Sequence, residues 1–478
     1  MLYPTPEETR SFSWLRTGAS WYESSMTLPR TAREHAAGLI DSLLGNRRAG
    51  APRHADVTAL DPRDERFAAE IAHGVVRHLS RIDWIVAHAA GKEIERIVPP
   101  ALAAARIGVY QLLFTPSVPA YAAVSASVDL ARTLAPQAAG FVNWLLRRVG
   151  ADAVNQPQRG DFSDDLAWLA TYHSFPHWLV RRWVKRLGTS EAAHLMEAMN
   201  SHPPPHLRVN RLRATPETVA DALAAAGFET APGRYAPHAL QVRGAGALTG
   251  TAPFREGSIY LQDESSQLAA LVLMPRAGER ILDACAGVGG KSTQIAELSG
   301  NGATIIAVDQ DSARLARLAE NAGRLGALGI EPRRGDLLDQ ATCAGERFDA
   351  VLLDAPCSAL GTIPRHPEIK WSKRASDPKR LAELQLRLLE RSADLLAPGG
   401  RVVFSTCSTE PEEGEEVITR FLKTHPGYRV AKIGAQTPAG AEISNREELL
   451  TSRGFLRAWP HRHGIGGAFV ALLASAER

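Results

Sequence analysis

From Ala277 onward, short apolar runs alternate with longer helical stretches, and that alternation restricts the second half of the chain more than any other feature. The runs are Arg280 to Cys285, Ala303 to Asp309, Phe348 to Asp354 and Arg401 to Thr406. Strands alternating with helices predict an α/β domain, with a parallel sheet covered on both faces. Pro398-Gly399-Gly400 is expected to turn a long helix, Leu381 to Leu396, into the last of these strands. Ligands on such sheets bind beyond the carboxyl ends of the strands, so the residues there carry the chemistry.

The first strand runs into Cys285-Ala286-Gly287-Val288-Gly289-Gly290-Lys291-Ser292, after which a helix begins. Glycines let a ligand approach the backbone, and a helix N-terminus offers free amides. A phosphate-binding P-loop needs a glycine where Cys285 stands, and a dinucleotide fingerprint starting at Gly287 needs one where Ser292 stands. The remaining reading is a nucleoside site without phosphates, which requires the glycine turn and an acid on the next strand. Asp309 ends that strand, where a carboxylate can accept from both ribose hydroxyls. Asp336 follows the third strand, where an acid can hold an adenine edge, and Asp354 ends the fourth. A lone Asp is commonly a cap or turn residue, but three at successive strand ends behind a glycine loop favour the nucleoside site.

Two of the four cysteines also stand at strand ends, Cys357 in Asp354-Ala355-Pro356-Cys357 and Cys407 in Ser405-Thr406-Cys407-Ser408. Either alone would be read as a small buried hydrophobe. As neighbours beside a cofactor loop they suit addition of a thiolate to carbon 6 of cytosine, which makes carbon 5 nucleophilic toward a methyl sulfonium. One thiolate attacks, Asp354 holds the base edge, and the second thiol assists release. The chemistry alone leaves open which thiol does which.

Upstream, residues 28–150 have helical periodicity throughout, as in Leu39, Ile40, Leu43 and Leu44 and in Leu102, Arg106, Val109, Tyr110 and Leu113. Residues 151–204 read as a polar linker followed by a helical segment, and 205–260 as a small α+β unit with a strand at Leu207 to Asn210 and a helix from Glu217 to Ala226. Residues 261–478 form the catalytic domain. Residues 1–27 are set apart as a disordered tail or upstream extension, because Met26 stands immediately before a helical pattern. A net charge of +3 permits a nucleic-acid partner without demanding one. The cysteines form no CxxC pair, which disfavours a zinc knuckle or disulfide framework and suits a reducing cytoplasm. No apolar run reaches the roughly 20 residues that span a bilayer, and the first residues lack signal-peptide order. His461 and His463 have no third ligand nearby in sequence, so no metal is expected.

The stretch Tyr260-Leu261-Gln262-Asp263-Glu264-Ser265-Ser266-Gln267, followed by CAGVGGKS, VDQD, RRGD, LLDAPCSALGTIPRHPEIKW and FSTCS, closely resembles the NOL/NOP2/Sun family of RNA cytosine-5 methyltransferases. Residues 28–150, with Gly108-Val109-Tyr110-Gln111-Leu112-Leu113 and Phe141-Val142-Asn143-Trp144-Leu145-Leu146-Arg147, resemble the NusB-like helical domain of its bacterial RsmB (Sun) branch. The resemblance implies an all-α NusB-like domain, an RRM-like subdomain and a Rossmann-like class I methyltransferase domain. It implies S-adenosylmethionine as cofactor, with S-adenosylhomocysteine as product, held by Cys285 to Lys291, Asp309, Asp336 and Asp354. It further implies Cys407 as nucleophile, Cys357 as the thiol that frees the product, and 16S ribosomal RNA as substrate of a cytoplasmic monomer. Two departures stand out: Val288 replaces the usual proline of the loop, and Gly466-Gly467-Ala468-Phe469 replaces Asp-Gly-Phe-Phe.

Candidate RNA contacts are Arg181, Arg182 and Lys185 on the Trp-containing helix, Arg208 on the small domain, and Arg365, His366 and Lys370 on a loop after Cys357, where Trp371 is either packed or poised over RNA. An adenine amino methyltransferase is disfavoured, since it would carry an Asp/Asn-Pro-Pro-aromatic strand end and no thiol. The alternative from another class is a noncatalytic RNA-binding assembly factor, which the intact thiols, Asp354 and glycine loop argue against.

Overall fold

A computed structural model describes residues 31–45, 60–151, 156–244, 246–434 and 442–475. The extension expected at residues 1–27 lies outside them. The chain divides into two compact units, one of residues 1–200 with 366–373 and the other of 201–365 with 374–478.

The first unit is helical. Pro62–Arg77, Leu79–Ala90, Pro99–Phe114, Ala120–Leu134 and Ala139–Ala151 enclose a core that includes Ile71, Val75, Ile85, Val109, Leu145 and Leu146. Their ends follow local chemistry: Asp61 caps its helix by accepting from Arg63 N and Asp64 N, and Pro99-Pro100 fill the first turn of a helix, where no amide partner is needed. Gly74 and Gly108 let helices approach closely, since a Cβ at Gly74 would lie 2.0 Å from the Tyr110 ring and one at Gly108 would lie 2.5 Å from Leu146. Arg106, a charge within an apolar stripe, pairs through two bonds of 2.7 and 2.8 Å with Asp83.

Residues 366–373 belong to this unit although they come from the later half of the sequence. Lys370 is fully buried, and its Nζ donates to Arg77 O (2.7 Å), Ser174 O (2.8 Å) and Asn200 Oδ1 (2.9 Å) while lying 4.1 Å from the centre of the Phe175 ring. Burial first, and then the nearby Arg77, push its pKa well below the ordinary lysine value. Trp371 packs on the helical core and donates from Nε1 to Val76 O at 2.8 Å.

The second unit holds two sheets. The smaller contains β1 (His206–Val209), β2 (Glu229–Pro232), β3 (Ala239–Arg243) and β4 (Ile259–Leu261) in the order β2-β3-β1-β4, each pair antiparallel. With the helices Pro216–Ala225 and Ala252–Arg255 between strands, this is a ferredoxin-like βαββαβ arrangement. The larger contains β5 (Arg280–Asp283), β6 (Thr304–Asp309), β7 (Ile330–Arg334), β8 (Phe348–Asp354), β9 (Leu396–Thr406), β10 (Tyr428–Val430), β11 (Leu456–Ala458) and β12 (Ala468–Ser475). Its order is β10-β12-β9-β8-β5-β6-β7, with β11 paired to β12.

The pairs from β7 to β9 are parallel, whereas β12 runs antiparallel to β9 and β10, so the sheet is mixed rather than wholly parallel. The expected turn at Pro398-Gly399-Gly400 lies inside β9. Phe348 pairs with Leu396 and Ala350 with Arg401, so β9 carries the extra residues as a bulge, with Gly399 at φ +74°. The strand order reverses between β5 and β8, which places the ends of β5, β6, β8 and β9 around one crevice.

Candidate active site

The loop between β5 and the helix Gly290–Leu298 turns on two glycines of positive φ, Gly287 (+55°) and Gly289 (+85°). A Cβ at Gly289 would lie 2.6 Å from Leu318 Cγ, whereas one at Gly287 would meet no protein atom within 4 Å. The Gly287 surface therefore faces open space. Gly287 N donates to Asp309 Oδ2 at 2.9 Å, and Asp309 Oδ1 accepts from Asp311 N at 2.9 Å, which fixes the carboxylate at the end of β6. At the departure from the family proline, Val288 is exposed and its carbonyl accepts from Asn321 Nδ2 at 3.0 Å. Cys285 and Ala286 complete the turn. Burial, reinforced by Asp283 and Asp354, pushes the Cys285 thiol up, so it remains protonated. Asp336 is exposed and its Oδ1 accepts from Leu338 N at 2.9 Å, the geometry of an Asx turn.

Beneath the loop lies Asp283, which the sequence reading did not single out. It is buried, its Oδ2 accepts from Ser292 Oγ at 2.6 Å, and its Oδ1 has no protein partner. Burial pushes its pKa up to about 6, against the lowering effect of the Ser292 hydrogen bond. The folded state therefore holds this proton more tightly than the unfolded chain does. The resulting stabilisation is complete below about pH 4 and is lost as pH rises through about 6, a difference of about 2–3 kcal/mol. Asp283→Asn should flatten that part of the stability profile. Melting temperatures of ligand-free protein at pH 5 and pH 7.5 test this, and parallel profiles for variant and wild type would acquit Asp283.

At the ends of β8 and β9 the chemistry converges. Asp354 forms an ion pair with Lys291 Nζ from the glycine loop, and its Oδ1 accepts from Ser405 Oγ at 2.6 Å. Burial opposes the charge on Lys291, but Asp354 foremost, and then Cys407, hold its pKa above the ordinary value. Cys357 Sγ and Cys407 Sγ lie 3.0 Å apart. The hydrogen bond to Cys407, followed by burial, raises Cys357 well above the usual thiol range. The backbone ladder continues past the strands, with Ala355 N donating to Ser405 O and Gly361 N to Cys407 O, both at 2.9 Å. Gly467 closes the back of this turn. Its amide donates to Gly361 O at 2.9 Å, and a Cβ on Gly361 would lie 2.4 Å from Gly467 O.

Thus Lys291, Asp354, Cys357 and Cys407 are brought together, and the glycine loop joins Asp309. Two proposed RNA contacts are corrected. Arg208 is buried and ion-paired with Glu297 at 2.9 Å while also donating to Gly290 O and Thr293 Oγ1, so it braces the glycine helix against β1. Lys370 is engaged within the helical unit, as described above. Arg365 is held by Asp263 at 2.7 Å with its side chain 28% exposed, and His366 is exposed beside Glu368. Arg181 and Lys185 are exposed one helical turn apart, whereas Arg182 is half-buried. Among the described residues no group of three or more His, Cys, Asp or Glu is placed to hold a metal ion, and no helix is long and apolar enough to cross a membrane.

Residues 270–474 match the family model described as 16S rRNA methyltransferase RsmB/F, residues 30–151 match the NusB family, and residues 175–249 match the RsmF/B-like ferredoxin-like domain. The chain is 34% identical over 420 residues to a Synechocystis protein named "Probable ribosomal RNA small subunit methyltransferase B", covering 87% of this chain and 92% of that one. It is 34% identical over 381 residues to the Salmonella newport ribosomal RNA small subunit methyltransferase B, covering 80% and 87%. The crystal structure of PH0851 superposes with a TM-score of 0.74 at 29% identity, covering 95% of this chain and all of that one. With its helical, ferredoxin-like and Rossmann-like parts all matched, the chain belongs to the RsmB/F family of methyltransferases.

Proposed function

We propose that the protein methylates carbon 5 of cytosine in 16S ribosomal RNA through a covalent adduct on Cys407. The observation that carries this reading is the pair of thiols 3.0 Å apart beside the Lys291–Asp354 ion pair. The names of its relatives support ribosomal RNA as substrate. The open face of Gly287, the acceptors of Asp309 and the orphan Oδ1 of buried Asp283 fit a nucleoside cofactor bearing hydroxyl and amino donors. S-adenosylmethionine, when bound there, supplies an electrophilic methyl group. Residues Cys285 to Lys291 and Asp309 would hold it, with Asp336 at the rim and Asp354 toward the reacting end.

Cys407 adds as thiolate to carbon 6, and carbon 5 gains enamine character. Asp354, held by Ser405 and Lys291, accepts from the amino edge of the base and keeps the ring in place. After methylation, the carbon 5 proton passes to solvent water, the 5,6 double bond reforms, and the carbon 6–sulfur bond breaks to expel the Cys407 sulfur. Cys357, 3.0 Å from that sulfur, assists its departure by proton exchange.

Incubating the protein with ribosomal RNA and methyl-labelled cofactor, then digesting to nucleosides, tests the reading directly. The label should run as 5-methylcytidine. Label in any other nucleoside, or in none, overturns it. The cofactor assignment has its own test. Asp309→Ala removes the acceptors offered to the ribose and also releases Gly287 N, so cofactor affinity should fall about ten- to a hundredfold. Unchanged affinity by calorimetry would remove Asp309 from the site.

A further inference from the structure

Under the two thiols, one buried carboxylate joins the turns that carry them. Glu413 ends the short turn Pro411–Glu413 and is completely buried. Its Oε1 accepts from Ser358 N at 2.7 Å and from Gln385 Nε2 at 3.2 Å. Its Oε2 accepts from Ser408 Oγ at 2.6 Å and from Ser358 Oγ. Ser358 directly follows Cys357 and Ser408 directly follows Cys407, and their hydroxyls lie 3.2 Å apart. The same Gln385 amide donates to Pro356 O at 3.0 Å, Glu410 N donates to Ser408 Oγ at 3.1 Å, and Thr406 Oγ1 donates to Glu413 O at 2.9 Å. Every residue flanking the thiols is therefore tied to Glu413: Ser358 and Ser408 directly to its carboxylate, Pro356 through Gln385, and Thr406 to its backbone carbonyl.

We propose that Glu413 is a positioning residue that clamps the Cys357 and Cys407 turns together and thereby sets the spacing of the two sulfurs. Where β8 and β9 end, the regular ladder no longer fixes the loops, and a shared acceptor with four donors replaces it. Burial raises the Glu413 pKa while the serine hydrogen bonds oppose that rise, so the site is built to hold this group rather than to expose it. Glutamine preserves the shape and the Oε1 acceptor, and its amide can donate to the two hydroxyls, which are able to rotate. Alanine removes the whole clamp. The catalytic consequence rests on the covalent reading above, but the spacing itself does not.

Two measurements on the full chain separate these. The first is peptide mapping by mass spectrometry after brief iodoacetamide treatment. In wild type and Glu413→Gln, alkylation of one sulfur fills the space of the other, so Cys357 and Cys407 should be modified singly. In Glu413→Ala both should be modified. The second is single-turnover methyl transfer, which should fall about a hundredfold in Glu413→Ala, in line with the cost of displacing reacting groups by about 1 Å. It should return to within several-fold of wild type in Glu413→Gln, with cofactor affinity unchanged in both. Should Glu413→Ala fail to fold, the double variant Ser358→Ala, Ser408→Ala decides, and it too should permit double alkylation. Single alkylation and a wild-type rate in the folded variant overturn the clamp. If the alkylation patterns are as expected but wild type makes no 5-methylcytidine, the covalent reading falls and the clamp stands.

Discussion

Cys407→Ala is expected to abolish methyl transfer, by a factor on the order of 10⁴ or more, and to form no covalent complex with RNA. Cys357→Ala is expected to behave differently in kind. Attack and methylation proceed, but elimination is slowed, and a protein–RNA adduct accumulates that survives denaturing electrophoresis. The two sulfurs lie 3.0 Å apart, and the hydrogen bond to Cys407, followed by burial, raises the Cys357 thiol above the usual range, which suits Cys357 to the release half of the cycle. An adduct in the Cys407 variant and none in the Cys357 variant would reverse the roles. Full activity in both variants would reduce the cysteines to packing residues and remove the covalent mechanism.

The largest effect on stability is expected at Lys370. Lys370→Met retains an apolar chain against Phe175 but leaves Arg77 O, Ser174 O and Asn200 Oδ1 without their donor. Buried acceptors stripped of a partner cost about 1–3 kcal/mol each, and some relaxation is inevitable, so a loss of about 3–5 kcal/mol follows. Urea unfolding measures it. Exposed His366→Ala, four residues away, should stay within about 0.5 kcal/mol of wild type. Equal stabilities for the two variants would show that the Lys370 hydrogen bonds contribute nothing.

Much of the catalytic fold was legible because its signals are local. Phe348 to Asp354 was bounded correctly as a strand because an apolar run ends abruptly at a charged residue. The glycine loop, Asp309 and both cysteines declared themselves by standing at such ends. The bulge in β9 was read as a turn because proline and glycines signal a break, while whether neighbouring strands pair around it is settled only by the sheet. Arg208 and Lys370 misled for the same reason. Basic residues near aromatics look like surface, but their partners Glu297 and Arg77 lie 89 and 293 positions away. Glu413 was invisible among the acids of Thr409-Glu410-Pro411-Glu412-Glu413, since Glu410 is buried as well and nothing in the run shows which carboxylate meets Ser358, Ser408 and Gln385.

The placement of residues 366–373 within the helical unit also bears on how such a protein can be divided or inherited. Severing the chain after Asn200 does not release two finished bodies. The first fragment lacks the lysine that satisfies its own carbonyls, and the second carries an octapeptide whose Ile369, Lys370 and Trp371 belong elsewhere. Exchange of the helical unit between relatives, in a laboratory chimera or in evolution, therefore has to be discontinuous in the gene, with a short cassette transplanted from the middle of the other coding region. A graft that moves only the N-terminal block should give poorly soluble chimeras, and adding the cassette should restore them.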